Sequence, residues 1–204
     1  MFNHSAKFYV IVLTFILSAA NFALAAPAIG QPAPSFFATD SFGKNVSSAD
    51  FKGKMVILEW TNHDCPFVRK HYNSGNMQAL QKKYTGQGVV WLTVISSAPG
   101  KQGYVTGVEA NEINAKRDAA PTAVLMDADG KIGKAYDAKT TPHMYIIEPN
   151  GNLAYMGAID SINSADIEDI EKAKNYVDLA MADLAANRPV VEPFTKAYGC
   201  GVKY

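Results

Sequence analysis

The sequence predicts an α/β fold with a central mixed sheet flanked by helices, and three observations predict it. Three apolar runs of strand length, at 55–60 (MVILEW), 89–95 (VVWLTVI) and 122–126 (TAVLM), are continuous enough to be strands buried on both faces. Stretches of helical periodicity separate them, as crossovers between parallel strands require. Two further runs, at 141–147 and 153–157, flank Pro149-Asn150-Gly151-Asn152 and read as an antiparallel hairpin, which makes the sheet mixed.

The chain opens with what reads as a processing segment. Residues 1–25 have the layout of a secretory signal peptide: Lys7, an apolar stretch over 8–20 broken only by Thr14 and Ser18, then Ala23-Leu24-Ala25 as an A-x-A cut site. The stretch falls short of the roughly 20 apolar residues that a spanning helix needs. No cysteine stands at the cut, which argues against a lipid anchor. The expectation is an exported, periplasmic protein whose residues 26–204 form a single domain. Removing 1–25 takes away one lysine and no acid and leaves the chain one unit negative.

An irregular entry at 28–34 leads to a small hairpin whose arms, 36–38 and 44–46, flank Asp40-Ser41-Phe42-Gly43. After the first central strand, helical pattern covers 65–72, breaks at Asn73-Ser74-Gly75 and resumes over 76–84, where Met77, Leu80 and Tyr84 mark the apolar face. Gly86-Gln87-Gly88 stops it before the second strand, completing a βαβ unit of expected right hand. A helix over 105–115 precedes the third strand, and a short one near 131–136 follows the Asp129-Gly130 turn. The last helix is expected to be long, 164–186. Ser164 is its N-cap, and Asp166, Glu168 and Asp169 fill its first turn. Ile167, Ile170, Tyr176, Val177, Ala180, Met181 and Leu184 make its core face. Arg188-Pro189 ends it, leaving an irregular tail over 190–204 that carries Cys200.

Composition narrows the function classes. The chain has 204 residues, 48% of them apolar, and 19 basic residues balance 19 acidic ones. A nucleic-acid binder or a polybasic membrane-surface protein would carry a basic excess. The length supports a proper core, so disulfides need not hold the domain together. The two cysteines, Cys65 and Cys200, are too few for a disulfide scaffold or an all-cysteine zinc site. Each therefore needs its own explanation.

Cys65 stands where the first central strand ends and its helix begins, the place where chemistry gathers in open α/β sheets. Pro66 suits a first helical turn. A thiol there faces unpaired backbone N–H groups and the positive end of the helix dipole, and both favour thiolate. Asp64 opposes this if its carboxylate points at the sulfur, and His63 and Arg69 are candidate electrostatic partners. The bland alternative is a buried, inert cysteine.

The stretch LEWTNHDCPFVRKHY at 58–72 resembles the active-site turn of thioredoxin-fold redox proteins. The entry Gly30-Gln31-Pro32-Ala33-Pro34-Ser35-Phe36, with Asp40 and Gly43, resembles the start of the alkyl hydroperoxide reductase/thiol-specific antioxidant (peroxiredoxin-like) family. Thr141-Pro142 before a strand resembles the Thr–cis-Pro element facing the active cysteine in that fold. The resemblance runs from about 30 to 158. It implies a thioredoxin-like fold, Cys65 as nucleophile with Thr141 and Pro142 opposite it, and redox chemistry without an organic cofactor. Two departures stand out. Val68 occupies the second cysteine position of C-x-x-C, and Asn62 stands where a typical peroxiredoxin has threonine, with Thr61 one step earlier.

Cys200, flanked by Gly199 and Gly201 in a terminal tail, is expected to be mobile and exposed, as a resolving cysteine should be. A Cys65 sulfenic acid could condense with it, and a thiol reductase partner would restore the dithiol. The other reading is a permanent structural disulfide, worth about 4–5 kcal/mol for so long a loop. Peroxide reduction leads, with disulfide exchange on exported proteins as the enzymatic alternative. A copper-binding or purely structural module is the non-enzymatic one. His143 after Pro142 could approach Cys65 for a soft copper site, although His63, His71 and His143 are by default packing or surface histidines, and neither metal nor cofactor is expected. Lys101-Gln102-Gly103-Tyr104 could line the site or be a solvated loop. Trp60, Trp91 and the tyrosines read as core and rim. The expected partners are a peroxide or protein-disulfide substrate and a reductase, with no nucleic acid and no membrane after cleavage, for a monomer or homodimer.

Overall fold

A computed structural model describes residue 1 and residues 26–204. The signal-peptide reading of 1–25 falls on residues outside those described. Among the described residues no helix is long and apolar enough to cross a membrane.

Strands β1 (Phe37–Asp40) and β2 (Asn45–Ser47) form the entry hairpin. β3 (Val56–Trp60) follows, then helices α1 (Pro66–Asn73) and α2 (Asn76–Gly86), then β4 (Val90–Ile95). Helix α3 (Gly107–Lys116) starts on a capping box in which Thr106 and Glu109 satisfy each other's backbone N–H groups. β5 (Ala123–Met126) and α4 (Lys131–Ala135) lead to the two-residue β6 (Thr140–Thr141), which a cis Thr141–Pro142 bond separates from β7 (His143–Ile147). β8 (Leu153–Gly157), α5 (Tyr176–Ala185) and β9 (Cys200–Gly201) complete the chain.

Seven strands form one sheet in the order β2-β1-β5-β4-β3-β7-β8. β3, β4 and β5 are parallel, whereas β7 joins β3 antiparallel and the hairpin arm β1 joins β5 antiparallel. The sheet is therefore mixed, as the run-and-hairpin pattern predicts. β6 and β9 pair separately, outside this sheet.

Strand alternation sorts the core into two layers. Ile57, Trp91, Met144, Ile146 and Tyr155 face the layer of Met77, Leu80, Tyr84, Val177 and Ala180. Val56, Leu58, Trp60, Leu92, Leu125 and Tyr145 face the other side. Trp60 lies edge-on to Tyr145 with centroids 5.0 Å apart, and its indole N–H donates to Ser96 Oγ at 3.0 Å. Trp60 and Trp91 are fully buried, so both are core residues.

The C-terminal helix departs from expectation. In place of one helix over 164–186 there is a single 3-10 turn, Ile167–Asp169, capped by Asp166, and α5 starts eleven residues late, capped by the side chain of Asn175 in place of Ser164. The reason is local competition. Asp and Asn side chains offer backbone N–H groups an alternative to continuing a helix. Asn175 also bridges Asp160, and Ser161 N donates to Lys174 O, which holds the chain extended just before α5. Ile167, assigned to the core face, is 44% exposed.

Candidate active site

Two structural features bring the thiol site together: the β3–α1 turn and the C-terminal strap over 190–204. Asn62 builds the turn. Its carbonyl accepts the Cys65 amide at 3.0 Å, and its side-chain oxygen accepts the Asp64 amide at 2.9 Å. Its amide group donates to Gln102 O at 3.3 Å, and the loop bearing Gln102 packs so closely that a Cβ on Gly103 would lie 2.4 Å from Asn62 Cγ. The 101–104 loop thus supports the turn. Asn62, at the position noted as a departure from the peroxiredoxin pattern, is the residue that shapes the approach to Cys65.

Cys65 is the N-cap of α1, with Pro66 at the first helical position. It is fully buried and its thiol donates to Thr141 O at 3.1 Å. Thr141 is itself 3% exposed. Of the expected pair, Thr141 meets the cysteine through its carbonyl, and Pro142 follows it across a cis bond.

Cys200 completes the site, but not as a mobile tail residue. It lies on β9, directly across from Thr141, and is only partly exposed. Pairing of Thr140 with Gly201, Val202 N with Lys139 O at 3.1 Å and Ala98 N with Lys203 O at 2.8 Å stitch the strap down. Tyr204 donates to Ala138 O at 2.9 Å, and Tyr198 is buried against Phe67 with centroids 5.8 Å apart. The flanking glycine serves clearance rather than motion. At Gly199 (φ 129°) a Cβ would come within 2.0 Å of Thr141 O. Both cysteines are free thiols that converge on Thr141: Cys65 donates to its carbonyl, and Cys200 pairs with it across the β6–β9 ladder.

The acidities of the two thiols move in opposite directions. Burial pushes the Cys65 thiol up, but the Cys200 thiol, the Val68 and Cys200 amides and the Thr141 hydroxyl together outweigh it and bring the pKa below its ordinary value. Cys200 moves the other way, to about 12. Burial, its hydrogen bond to Cys65 and the Cys65 charge raise it, and Lys203 opposes them. The Thr141 carbonyl favours the thiol form of Cys65 and the N–H and S–H donors favour the thiolate, so Cys65 can hold or release its proton with little rearrangement.

The flanking charges serve the turn rather than the sulfur. Arg69 donates to His63 O at 3.2 Å and pairs with Asp64 at 3.1 Å, and His63 Nε2 lies 3.5 Å from Asp64. Arg117, which nothing in the sequence singled out, reaches from the end of α3 to donate to the same His63 carbonyl at 2.9 Å. The expected pairing of His63 or Arg69 with the thiolate is therefore corrected: local carboxylate and carbonyl partners are nearer. His143 turns its Nδ1 to Tyr145 OH at 3.2 Å, and burial lowers its pKa to about 4. Among the described residues no three His, Cys, Asp or Glu side chains gather as a metal site.

Beneath the turn, β3 carries a fully buried carboxylate that sequence reading passed over. Glu59 accepts Tyr72 OH at 2.8 Å, Trp91 Nε1 at 2.9 Å and Gln81 Nε2 at 3.0 Å. Burial raises its pKa despite these donors. The signal available was an acidic residue inside an apolar strand.

A model described as the AhpC/TSA family matches residues 29–156. A curated relative, the thiol-disulfide oxidoreductase ResA of Bacillus subtilis, is 26% identical over 124 residues, 61% of this chain and 64% of that protein. The match thus spans just under two thirds of the relative's length. An uncharacterized conserved protein from Geobacillus kaustophilus superposes with a TM-score of 0.74 at 24% identity, covering 87% of this chain and 92% of the other. The thioredoxin domain of a thiol-disulfide oxidoreductase from Bacteroides vulgatus gives 0.50 at 19% identity, covering 72% and 98%. These likenesses place the architecture among thioredoxin-like folds.

Proposed function

The chain belongs to the AhpC/TSA family of thioredoxin-fold redoxins, and from that premise we propose that it is a thiol-based oxidoreductase exchanging disulfides through Cys65 and Cys200. The observation that carries the reading is the convergence of both thiols on Thr141: Cys65, on a helix N-terminus, donates to its carbonyl, and Cys200 lies on the strand paired with it.

Cys65, with its depressed pKa, is the attacking thiolate. It attacks one sulfur of a substrate disulfide, forms a mixed disulfide and expels the other sulfur as thiolate, which takes a proton from water. Bond formation removes the negative charge and the acceptor that hold Cys200 protonated. The Cys200 pKa then falls, and its thiolate attacks the Cys65 sulfur and releases the second substrate thiol. The substrate disulfide gains two electrons and two protons, and a Cys65–Cys200 disulfide forms. An external dithiol of reductase type resets the pair. Because Cys65 is fully buried, a bulky substrate reaches it only when the strap swings aside. The likeness to the Bacillus subtilis relative, a thiol-disulfide oxidoreductase, supports exchange.

Peroxide reduction is the second reading, favoured by the family match and by a Cys200 already placed to condense with a Cys65 sulfenic acid. There the thiolate would attack the peroxide O–O bond, releasing an alcohol or water, and the condensation would release water. The sequence of residues 1–25 supports export, with 26–204 as the mature domain working in the periplasm.

The test compares reduced native chain, Cys65→Ser and Cys200→Ala on a small aromatic disulfide and on hydrogen peroxide. One disulfide reduced per native chain, with none by Cys65→Ser, is the expected result. Peroxide consumed faster than disulfide would move the assignment to the second reading. Either activity surviving in Cys65→Ser would overturn both.

A further inference from the structure

A buried ionic cluster lies beside α1, and the redox step above does not use it. Lys70 and His71 sit on α1, one and a half turns from Cys65, and both are almost fully buried. Lys70 Nζ donates to Asp160 Oδ2 at 3.1 Å and to Ile162 O at 3.1 Å. His71 Nε2 lies 3.7 Å from the same carboxylate, and Asn76 faces His71 Nδ1 at 2.9 Å. The other oxygen, Oδ1, accepts Ile162 N at 3.0 Å and the hydroxyl of Tyr198. Tyr198 is 7% exposed and stands two residues before Cys200, with Gly199 wedged against Thr141 between them.

Asp160 is therefore tied to both thiols. Through Lys70 and His71 it holds the helix that Cys65 caps, and through Tyr198 it holds the strap that carries Cys200. Buried ion pairs are poor sources of stability compared with apolar packing, but they fix geometry when every lone pair is satisfied. Here every oxygen of Asp160 has a donor. The backbone bonds that hold the strap at 201–203 all lie on the C-terminal side of Cys200, and Tyr198 anchors it on the other side. That anchor is a hydroxyl on a buried, charge-compensated carboxylate.

We propose that Tyr198, held by Asp160, is a positioning residue that sets the effective concentration of Cys200 at Cys65, and with it the reduction potential of the pair. The proposal rests on the dithiol reading above. Tyr198 does not touch the reacting sulfurs. It acts through the placement of Cys200.

Tyr198→Phe keeps the ring against Phe67 and removes one oxygen. Loss of a hydrogen bond to a charged group, felt next to Cys200, is expected to lower the effective concentration about 10- to 100-fold. For a two-electron couple that raises the potential by about 30–60 mV. The potential is read by equilibration with glutathione buffers and the closure rate by quenched alkylation. Tyr84→Phe is the control, because it deletes a tyrosine hydroxyl bonded to a different carboxylate, Asp178 on α5, which bonds neither α1 nor Tyr198. It is expected to lower stability and leave the potential unmoved. A Tyr198→Phe potential equal to that of the native chain, or a Tyr84→Phe shift of the same size, overturns the proposal while leaving the dithiol reading standing. A native chain that forms no Cys65–Cys200 disulfide overturns the dithiol reading, and the proposal falls with it.

Discussion

Replacing Gly199 with alanine perturbs the strap at its tightest point. The new Cβ would sit 2.0 Å from Thr141 O, 2.8 Å from Thr141 C and 3.3 Å from Pro142 N, all of them backbone atoms that cannot turn away. The residue also has φ 129°, which L side chains rarely adopt. A non-glycine residue forced into such a region costs about 1–3 kcal/mol. The strap can relieve that cost only by lifting β9 from β6, so the strain goes into the opening equilibrium. An increase of about 5- to 150-fold in the open population follows. Cys65 has no exposed surface, so a small alkylating reagent reaches it only in the open state. Where reclosing outpaces labelling, the rate tracks that population. Site-resolved peptide mapping of alkylation, with Cys200 as the internal reference, measures it. Cys65 labelling at the native rate in Gly199→Ala would refute the claim that the strap guards the sulfur.

Other perturbations have outcomes set by the same geometry. Cys200→Ala deletes the strongest donor to the Cys65 sulfur, so the Cys65 pKa should rise toward 9.0, followed by ultraviolet thiolate absorbance. An unmoved titration would contradict the thiol–thiol contact. Gly103→Ala drives a Cβ to 2.4 Å from Asn62 Cγ and should cost about 1–3 kcal/mol by overpacking, seen as a lower denaturant midpoint. Glu59 has a folded pKa above its ordinary 4.5, so its contribution to stability is present in full below 4.5 and is lost as pH rises through the raised value. Glu59→Gln should flatten the fall in urea midpoint between pH 4.5 and the raised value, and an unchanged slope would rule out a buried titrating Glu59.

Most of the sheet was legible because its signals are local. The runs at 55–60 and 89–95 are nearly all apolar, with only Glu59 and Thr93 as exceptions, so they read as central strands, and Asn73-Ser74-Gly75 marks the break between α1 and α2. Cys65-Pro66 at a strand end placed the first thiol. What escaped the sequence depends on distant partners. Asn175 starts α5 because Asp160 holds its backbone extended, and nothing within 164–186 shows that pairing. The tail read as mobile because Gly-Cys-Gly is flexible in isolation. It is ordered by Tyr198 and Tyr204, whose acceptors, Asp160 and Ala138, lie 38 and 66 residues away. Arg117 braces the active turn from a separate helix, and its role has no trace in residues 58–72.

The most direct test of the account is the order of events on the two sulfurs. Reduced chain is mixed with a small disulfide, quenched with acid over time, and its peptides are mapped by mass. The account predicts a mixed disulfide on Cys65 first, then its replacement by a Cys65–Cys200 bond, with Cys200→Ala halting at the mixed disulfide. A first adduct on Cys200, or an adduct on Cys65 that Cys200 never displaces, would contradict it.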